Sequence, residues 1–458
     1  MRKTEVLLFL LFFTLESASF AQLSPQKALV GALDYLEHAQ EDSTIEGVQY
    51  AGEWPSYMEL TEAYFFIGFP KKARDSNCFT TSAIYNFLAE MYLEDSTLTM
   101  IRPMLQKAMP EIESYADSIR FNFWKKLPPP RNQKFWRAKK PYPLVHRPTN
   151  FSSKPKLVQK MCNVPNDADD TNLASLARFY HNRIFDTEMP LANDSVFGEW
   201  VDLNRQNRNW YNYLFHIRKN SGAYLTWLDQ EYRYGIWTPV QAYLSIISIF
   251  LPSSSAYPKA YEPWIPWGAN DVDPVVNANI LYYLTASGQF EETEVNEASI
   301  KMIEKLCEKE DWAGAGVYYP NAYHLPFCIA KLCAANKRLA LKNAGDKVLA
   351  FLQASQMEDG SFASRKYVNG GDKIQSTAYA YHALIDLKRA GFAVELQTIL
   401  KAENFLLKEA KQDFLGIYWD GGVFFSGGTA LRNILFWHSD AYTTALVAHG
   451  LQKRIREL

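Results

Sequence analysis

Residues 351–362, Phe-Leu-Gln-Ala-Ser-Gln-Met-Glu-Asp-Gly-Ser-Phe, set the pattern on which this 458-residue chain is built. A helical stretch ends at Gln356, whose side-chain amide can bond to the free backbone groups at a helix end. Gly360 permits a sharp turn, because glycine adopts left-handed backbone conformations at little cost. Phe362 supplies an aromatic ring that can pack beneath the next helix. The stretch therefore predicts two helices joined by a tight, internally bonded turn.

Degenerate copies of this pattern occur elsewhere in the chain. They start at Gln40, Gln230 and Gln412, and a glycine followed by an aromatic residue comes within 52–54, 235–237 and 416–418. Apolar residues with helical spacing predict helices at 23–40, 79–91, 96–119, 170–182, 209–230, 239–250, 273–286, 296–308, 322–335, 339–356, 376–390, 394–410 and 440–454. Almost no segment alternates with period two, so the predicted fold class is all-α. Repeated helix pairs must stack to bury their apolar faces, in an open solenoid or a closed barrel.

An acidic cluster, Asn166-Asp-Ala-Asp-Asp-Thr171, precedes one of these helices. Carboxylates this close repel one another, and away from water at least one of them tends to keep its proton at neutral pH. A carboxylic acid kept protonated in a dry pocket can protonate a weak base. In contact with solvent, the same cluster is only a helix cap with excess charge.

Both patterns resemble those of one enzyme family. Residues 351–362 resemble the QW repeat of terpene cyclases, and Asp167-Ala-Asp-Asp-Thr171 resembles the DxDDT motif of class II terpene cyclases, which include squalene–hopene cyclases. The resemblance implies an α/α toroid, a barrel of helical hairpins shared with protein prenyltransferase β subunits. It also implies that Asp169 is the general acid that protonates an alkene or epoxide, with Asp167 and Asp170 tuning and orienting it. The expected substrate is a hydrophobic polyene or isoprenoid. The aromatic content of 15% suits the carbocations of such a reaction, because aromatic faces stabilise cations without trapping them.

The chain differs from the family pattern at three points. Asn166 stands where the family usually has proline, and Asn172 where it usually has a small residue. Family members usually carry a second helical barrel. Here only about 145 residues lie between Gln22, the first residue after the predicted signal peptide 1–21, and the cluster, which leaves room for one barrel. The prediction is therefore a single large toroid domain over residues 22–458.

Further candidate site residues lie near the starts of predicted helices. Asp271 and Asp273, with Trp267 before them, form a second acidic cap that has two interpretations. It is either functional, as a second wall of the substrate site or part of a metal site with the first cluster, or a solvated helix cap. His382 and His438 are candidates to hydrogen-bond the acid cluster, and Trp437 to line the substrate site. The expected substrate-binding residues are Asp271, Asp273, His382, His438, Trp267 and Trp437.

Neither a metal nor a cofactor is expected. The five cysteines include no CxxC pair, and Thr443 and Thr444 stand near the position where prenyltransferases have a zinc-binding histidine. The formal net charge of −2, without long runs of one sign, argues against nucleic acid as a partner.

The N-terminal residues predict where the protein is located. Residues 1–21 read as a signal peptide, with Arg2 and Lys3 before a short apolar run and small residues before the cleavage point. We therefore expect an exported, periplasmic or secreted protein whose hydrophobic substrate is compatible with peripheral membrane association. The proline-rich stretch 125–160 is expected to be a long ordered loop or a lid.

Two other functions fit the same residues. An exported glycan-active enzyme on an α/α barrel would use the aromatic residues to stack sugars, and carboxylates of 167–170 and 271–273 for acid–base chemistry. A non-catalytic toroid would bind a ligand or a partner. Burial of Asp169 beside an open chamber distinguishes the cyclase from the binding protein.

Overall fold

The computed structural model describes residues 23–60, 72–127, 144–149, 164–203, 221–228, 272–316, 318–335, 341–364, 370–427 and 435–457. Helices within these ranges are α1 Pro25–Ala39, α2 Cys78–Glu94, α3 Ile101–Glu113, α4 Ala168–Phe185, α5 Asp194–Gly198, α6 Pro274–Ala286, α7 Glu294–Cys307, α8 Trp312–Ala315, α9 His324–Ala335, α10 Lys342–Ser355, α11 Gly370–Arg389, α12 Leu396–Lys408 and α13 Asp440–Glu457. The strands are β1 Tyr57–Leu60, β2 Ala73–Arg74, β3 Ala116–Asp117, β4 Arg120–Phe121, β5 Lys126–Leu127, β6 Val145–His146, β7 Lys411–Gln412, β8 Ile417–Tyr418, β9 Val423–Gly427 and β10 Leu435–His438.

Six of the described helices pack in a closed cycle, which we call the ring. Its members contact one another in the order α2, α4, α6, α9, α11, α13 and back to α2. The longer remaining helices lie outside it: α1 packs against α13, α3 against α2 and α4, α7 against α6, α10 against α9 and α11, and α12 against α11. Apolar side chains between these two layers form the core.

The ring helices run in the same direction. Asn279, near the start of α6, bonds to Asp169 at the start of α4, and Asn321, just before α9, donates to Ser376 of α11 at 2.8 Å. At the other end, Glu90 of α2 accepts hydrogen bonds from Tyr180 of α4 and Tyr282 of α6. The helix starts therefore share one rim, where side chains such as those of Asp167 and Asp273 cap the first turns.

The turn after α10 forms as predicted from residues 351–362. The Gln356 amide donates to the Gly360 carbonyl at 3.2 Å and to the Thr398 carbonyl at 2.9 Å. Gly360 has a φ of 86°, and Phe362 is fully buried. The copy after α1 repeats this geometry, because Gln40 donates to the carbonyls of Gly52 and Met104 at 3.0 Å.

The copy after α12 differs from the prediction. Gln412 is exposed, and the buried aromatic ring is that of Trp419, whose indole N–H donates to the Leu406 carbonyl at 2.6 Å. The corresponding bond in the copy after α1 joins Trp54 to the Leu36 carbonyl. A tryptophan that ties the turn to the end of an outer helix is thus common to both copies.

The chain is mostly helical, as the all-α prediction expected, and it also contains small sheets that the prediction did not include. A four-stranded antiparallel sheet has the order β2-β1-β10-β9, and it includes part of the glycine-rich connection before α13. Within the proline-rich stretch, β5 pairs with β6, Lys126 opposite His146. Residues 221–228 of the predicted helix 209–230 are extended and bridge to 167 and 201. Most of these strands have two residues and the longest has five, too short for an alternating pattern to reveal them.

Several predictions concern residues outside the described ranges. They are the signal peptide 1–21, helix 239–250, the copy of the turn pattern at Gln230, and the site residues Trp267 and Asp271. Among the described residues, no helix has the combination of length and apolar content that crossing a membrane requires.

Replacing Gly360 with alanine tests the turn. A Cβ atom there would lie 2.2 Å from the Lys401 carbonyl oxygen, in a left-handed backbone conformation. We expect Gly360→Ala to lower the free energy of unfolding by at least about 2 kcal/mol, measured by urea denaturation. Gly288 is the matched control, since its φ is 74° and nothing lies within 4 Å of its added Cβ. Gly288→Ala should cost about 1 kcal/mol, and equal losses at both positions would contradict the close approach.

Candidate functional site

Asp169 lies in the first turn of α4, buried against the neighbouring ring helix. Its Oδ1 accepts a hydrogen bond from Nδ2 of Asn279 at 3.1 Å. Burial raises the pKa of Asp169 well above its ordinary value, and the nearby charges of Asp167 and Asp273 raise it further. Hydrogen bonds from Asn279 and Asn172 oppose this shift without cancelling it. This shift favours the protonated form of Asp169, which is the state that a general acid requires.

The two other carboxyls of the cluster have different surroundings. Asp167 caps α4, because its Oδ1 accepts the backbone N–H of Asp170 at 2.8 Å. Burial, followed by the charge of Asp167, raises the pKa of Asp170 well above its ordinary value. The structure thus places the three predicted carboxyls together, with Asp169 the one bonded across the ring to α6.

Asp273 is a helix cap, as one of the two sequence readings held, but it is buried rather than solvated. Its Oδ1 accepts the backbone N–H groups of Val275 and Val276, at 2.7 and 3.3 Å. Its Oδ2 accepts the backbone N–H of Tyr318 at 3.2 Å. Asp273 therefore stabilises the start of α6 and the segment before α9, close enough to Asp169 to influence its charge.

One layer of side chains, contributed by all six ring helices, surrounds the acid; we call it the acid layer. It consists of Phe79, Asp169, Asn279, Cys328, Tyr379 and Tyr442. The Tyr379 and Tyr442 hydroxyls lie 3.0 Å apart, and Phe79 lies 6.2 Å from Tyr442 between ring centroids. Asn279 is partly buried, whereas the other five residues of the acid layer are buried.

Aromatic rings continue from the acid layer towards the rim. Phe425 of β9 contacts Phe79, Tyr318 and Tyr319, at centroid distances of 5.7, 6.0 and 5.8 Å. Phe424 stacks on Tyr442 at 4.5 Å. The rim beside Asp169 is thus walled by aromatic faces, which suit an apolar or cationic ligand.

Trp437, a predicted substrate-binding residue, belongs to this wall. Its ring lies 5.4 Å from those of both Phe123 and Phe425. Its indole N–H donates to Oδ2 of Asp75 at 2.7 Å, and Trp124 donates to the same oxygen at 3.0 Å. Burial raises the pKa of Asp75 to about 7. Asp75 could not be predicted from the sequence, because the two indoles that bond to it lie 49 and 362 positions away along the chain.

The hydrogen bond expected from His382 or His438 to the acid cluster comes from Asn279 instead. His382 lies three turns into α11, which starts at Gly370 rather than at the predicted 376, and its Nε2 donates to the Leu446 carbonyl at 2.6 Å. His438 lies on β10, stacked on Tyr57 at 5.9 Å and 3.8 Å from Glu59. Their predicted roles in substrate binding stay predictions.

A second buried polar cluster lies towards the ends of the ring helices; we call it the polar plug. It consists of Glu90, Tyr180, Tyr282, Lys331, Asp386 and Lys453, again with a member from every ring helix. The Glu90 carboxylate accepts hydrogen bonds from Tyr180, Tyr282 and Lys331, each at 2.9 Å. Lys453 bonds to both oxygens of Asp386, at 2.9 and 3.0 Å. Each buried charge thus has an opposite partner, as burial demands.

No arrangement among the described residues groups three or more histidine, cysteine, aspartate or glutamate side chains as a metal site would. The absence of a metal ion or cofactor remains a prediction. The chemistry that the described groups themselves offer is proton donation from a buried carboxylic acid that lies beside aromatic side chains.

Comparison with solved structures identifies the fold. The apo structure of the type II terpene cyclase MstE from Scytonema matches with a TM-score of 0.52 and 14% sequence identity, over 95% of this chain and 99% of that one. Two variants of MstE in complex with its substrate, geranylgeranyl dihydroxybenzoate, match with TM-scores of 0.51, also at 14% identity, over 95% and 98% of the two chains. No protein-family model and no curated protein sequence matches this chain. The likeness shows that this chain has the helical fold of the type II terpene cyclase MstE.

Proposed function

We propose that this protein is a type II terpene cyclase that starts the cyclisation of a polyene or isoprenoid by protonating it from Asp169. The observation that carries the proposal is the Asp169 carboxyl, whose burial raises its pKa well above the ordinary value, in a ring whose other helices present Phe79, Tyr379 and Tyr442. A buried acid of this kind has no evident structural purpose, since a neutral side chain of the same shape would fill the space at lower cost. The fold shared with MstE supports the proposal.

The first step uses the two carboxyl oxygens differently. Oδ1 is held by Asn279, so the proton resides on Oδ2. The O–H bond breaks as the π electrons of a substrate double bond form a new C–H bond, which leaves a tertiary carbocation and the Asp169 carboxylate. The Asn279 N–H then stabilises the negative charge that develops on Oδ1, a contribution that grows as the proton leaves.

The later steps require a surface that tolerates positive charge. Further double bonds of the chain attack the cation in turn, and each attack closes a ring and moves the charge along the substrate. Aromatic faces such as those of Phe79, Tyr319 and Phe425 stabilise such a charge without forming a bond to it. Loss of a proton from the last cation yields an alkene and completes an isomerisation without any cofactor.

We further propose that the ring is the inner layer of a single α/α toroid domain. The closed order of the six ring helices and their shared direction support this assignment. The near-complete mutual coverage with MstE supports it as well, because a type II cyclase of similar extent needs no additional barrel beyond it. The expectation that one barrel suffices is thus compatible with cyclase activity.

The aromatic side chains near the acid support a hydrophobic substrate. Phe123, Phe425 and Trp437 present apolar faces, so the reacting part of the substrate is a polyene chain. If the chain is exported as predicted, a neutral squalene-like polyene fits that location better than a prenyl diphosphate. The substrate of MstE, a geranylgeranyl chain on an aromatic acid, offers a second chemical class for the assay.

Incubation of the purified protein in D₂O tests the proposal. We expect cyclic products from squalene or from geranylgeranyl dihydroxybenzoate, each carrying one deuterium at the carbon that Asp169 protonates. Gas or liquid chromatography with mass spectrometry detects both the ring closure and the label. Products without deuterium would exclude an enzymatic proton as the trigger. Complete recovery of both substrates, together with retention by the protein, would favour a binding protein instead.

A further inference from the structure

The Asn279 side chain makes a second hydrogen bond, and this bond influences whether the nitrogen or the oxygen of the amide faces Asp169. The Cys328 thiol of α9 donates to Oδ1 of Asn279 at 3.4 Å, while Nδ2 of Asn279 donates to Asp169 at 3.1 Å. The three side chains thus form a chain of donors that runs from α9 through α6 to α4. Each link joins neighbouring ring helices.

The thiol can act only as a donor towards the amide oxygen. Burial raises the pKa of Cys328 far above its ordinary value, so the sulfur keeps its proton. An amide has one accepting and one donating end, and an S–H group bonds well only to the accepting end. Cys328 therefore favours the orientation in which the Asn279 oxygen faces α9 and the Asn279 nitrogen faces the acid.

The orientation matters because Asp169 is protonated before it reacts. With the amide nitrogen facing it, Asp169 receives a hydrogen bond on Oδ1, and its own proton remains available for the substrate. With the amide turned over, the Asn279 oxygen would accept the Asp169 proton in a hydrogen bond and hold it back. The first arrangement stabilises the carboxylate product of the transfer, and the second stabilises the acid.

We propose that Cys328 is a positioning residue that fixes the Asn279 amide in the orientation that activates Asp169. The inference rests on the proposed function, since it concerns the same acid. It goes beyond that function because it assigns control of the proton transfer from Asp169 to a thiol on a third helix. That thiol acts through its hydrogen bond to Asn279.

Variants at position 328 separate this role from packing. Cys328→Ser keeps a donor of similar size, and Cys328→Ala removes it. We expect Cys328→Ala to lower kcat about tenfold with KM within about twofold, and Cys328→Ser to stay within about threefold of the wild type. Asn279→Leu, which removes the donor to the acid itself, should lower kcat about 100-fold. Cys333→Ala is the matched control, because Cys333 lies buried on the same helix with its sulfur 3.9 Å from the Leu341 carbonyl; its kcat should not change.

A titration readout distinguishes positioning from a general loss of packing. The infrared carbonyl band that disappears in Asp169→Asn reports the protonated carboxyl, and its titration midpoint should move to higher pH in Cys328→Ala but not in Cys328→Ser or Cys333→Ala. The titratable groups that influence or are influenced by Asp169 are Asp167, Asp170, Asp273, Cys328 and Tyr442, and all but Cys328 are common to these variants.

The outcomes are distinct for the two proposals. If the wild type yields no deuterated cyclic product, the proposed function fails, while the infrared titration still tests the orientation of Asn279. If the wild type cyclises but alanine at position 328 leaves both kcat and the midpoint unchanged, the role of Cys328 is refuted. Serine behaving no better than alanine would also refute it, since the two differ in the donor.

Discussion

Asp169→Asn is expected to lower cyclisation by at least about 10³-fold while the protein becomes more stable at neutral pH. The amide cannot deliver a proton, so the first carbocation does not form. The same substitution removes a carboxyl whose burial raises its pKa well above the ordinary value of 3.8. Loss of activity by misfolding would lower stability, so the opposite signs of the two effects identify a proton donor.

The sign of the stability difference between the wild type and Asp169→Asn follows from how each protein's stability depends on pH. Below the ordinary pKa of aspartate, the Asp169 carboxyl is protonated in both the folded and the unfolded chain and makes no difference. As the pH rises from about 4 towards the raised pKa of the folded state, the unfolded chain releases the proton and gains stability relative to the folded one. The wild type therefore loses stability over this range, and Asp169→Asn loses less. Urea denaturation of both proteins at pH 4 and pH 7 measures the difference.

Asp359 provides a control of opposite sign. Its hydrogen bonds with Lys373 and Ser361 lower its pKa to about 2, and it lies on the turn after α10, outside the acid layer. Asp359→Asn should leave cyclisation unchanged and slightly reduce stability at pH 7. If Asp169→Asn reduced stability as well, or retained more than about a tenth of the activity, Asp169 would not be the acid.

The sequence allowed the ring helices and the acid to be predicted because both depend on nearby residues. The cap at Asp167 and the turn at Gly360 each involve bonds over a few positions. Such local chemistry is the same wherever a segment lies in the fold. The cluster at 167–170 was therefore identified from the sequence, and burial raises the pKa of two of its carboxyls, those of Asp169 and Asp170.

Contacts between distant segments could not be predicted in this way. Asn279 lies 110 positions from Asp169, and nothing near either residue marks the pair. Asn279 is a polar residue on a largely apolar helix, and this is the feature of the sequence that could have indicated a buried partner. His382 was assigned to the acid because the start of its helix was placed six residues late. The short rim strands were not predicted because pairing partners in β1 and β10 lie up to 381 positions apart, as between Tyr57 and His438.

The polar plug is the clearest example of a feature hidden from the sequence. Glu90, Lys331 and Lys453 lie in the C-terminal halves of their helices, where a solvated position is the ordinary expectation for a charged residue. Only closure of the ring brings them together in the interior. The plug and the acid sit at different depths of one ring: Asp169 and Tyr180 lie eleven positions apart on α4, about 16 Å along the axis.

Glu90→Ala is expected to lower the free energy of unfolding by about 3–5 kcal/mol, because it leaves the buried Lys331 ammonium without its carboxylate. It also removes the acceptor for the Tyr180 and Tyr282 hydroxyls. Burial alone would raise the pKa of Glu90, but the charges of Lys331 and Lys453 outweigh it and the net shift is downward. The stabilisation that Glu90 provides is therefore present above the ordinary pKa of 4.5 and lost as the pH falls through the lowered value. Acidification should narrow the gap in stability between the wild type and the variant.

A double variant separates the lost charge pair from lost packing. Combining Glu90→Gln with Lys331→Met removes both charges while keeping an acceptor for the two tyrosines, and it should recover most of the stability that Glu90→Gln alone loses. The exposed pair of Glu297 and Lys301 on α7 is the matched control, and Glu297→Gln should change stability by less than about 0.5 kcal/mol. Urea denaturation of the wild type, Glu90→Gln, the double variant and Glu297→Gln measures these differences in stability. A loss below about 1 kcal/mol in Glu90→Ala would mean that water reaches the plug, and the ring would then be open at both ends rather than closed below the acid.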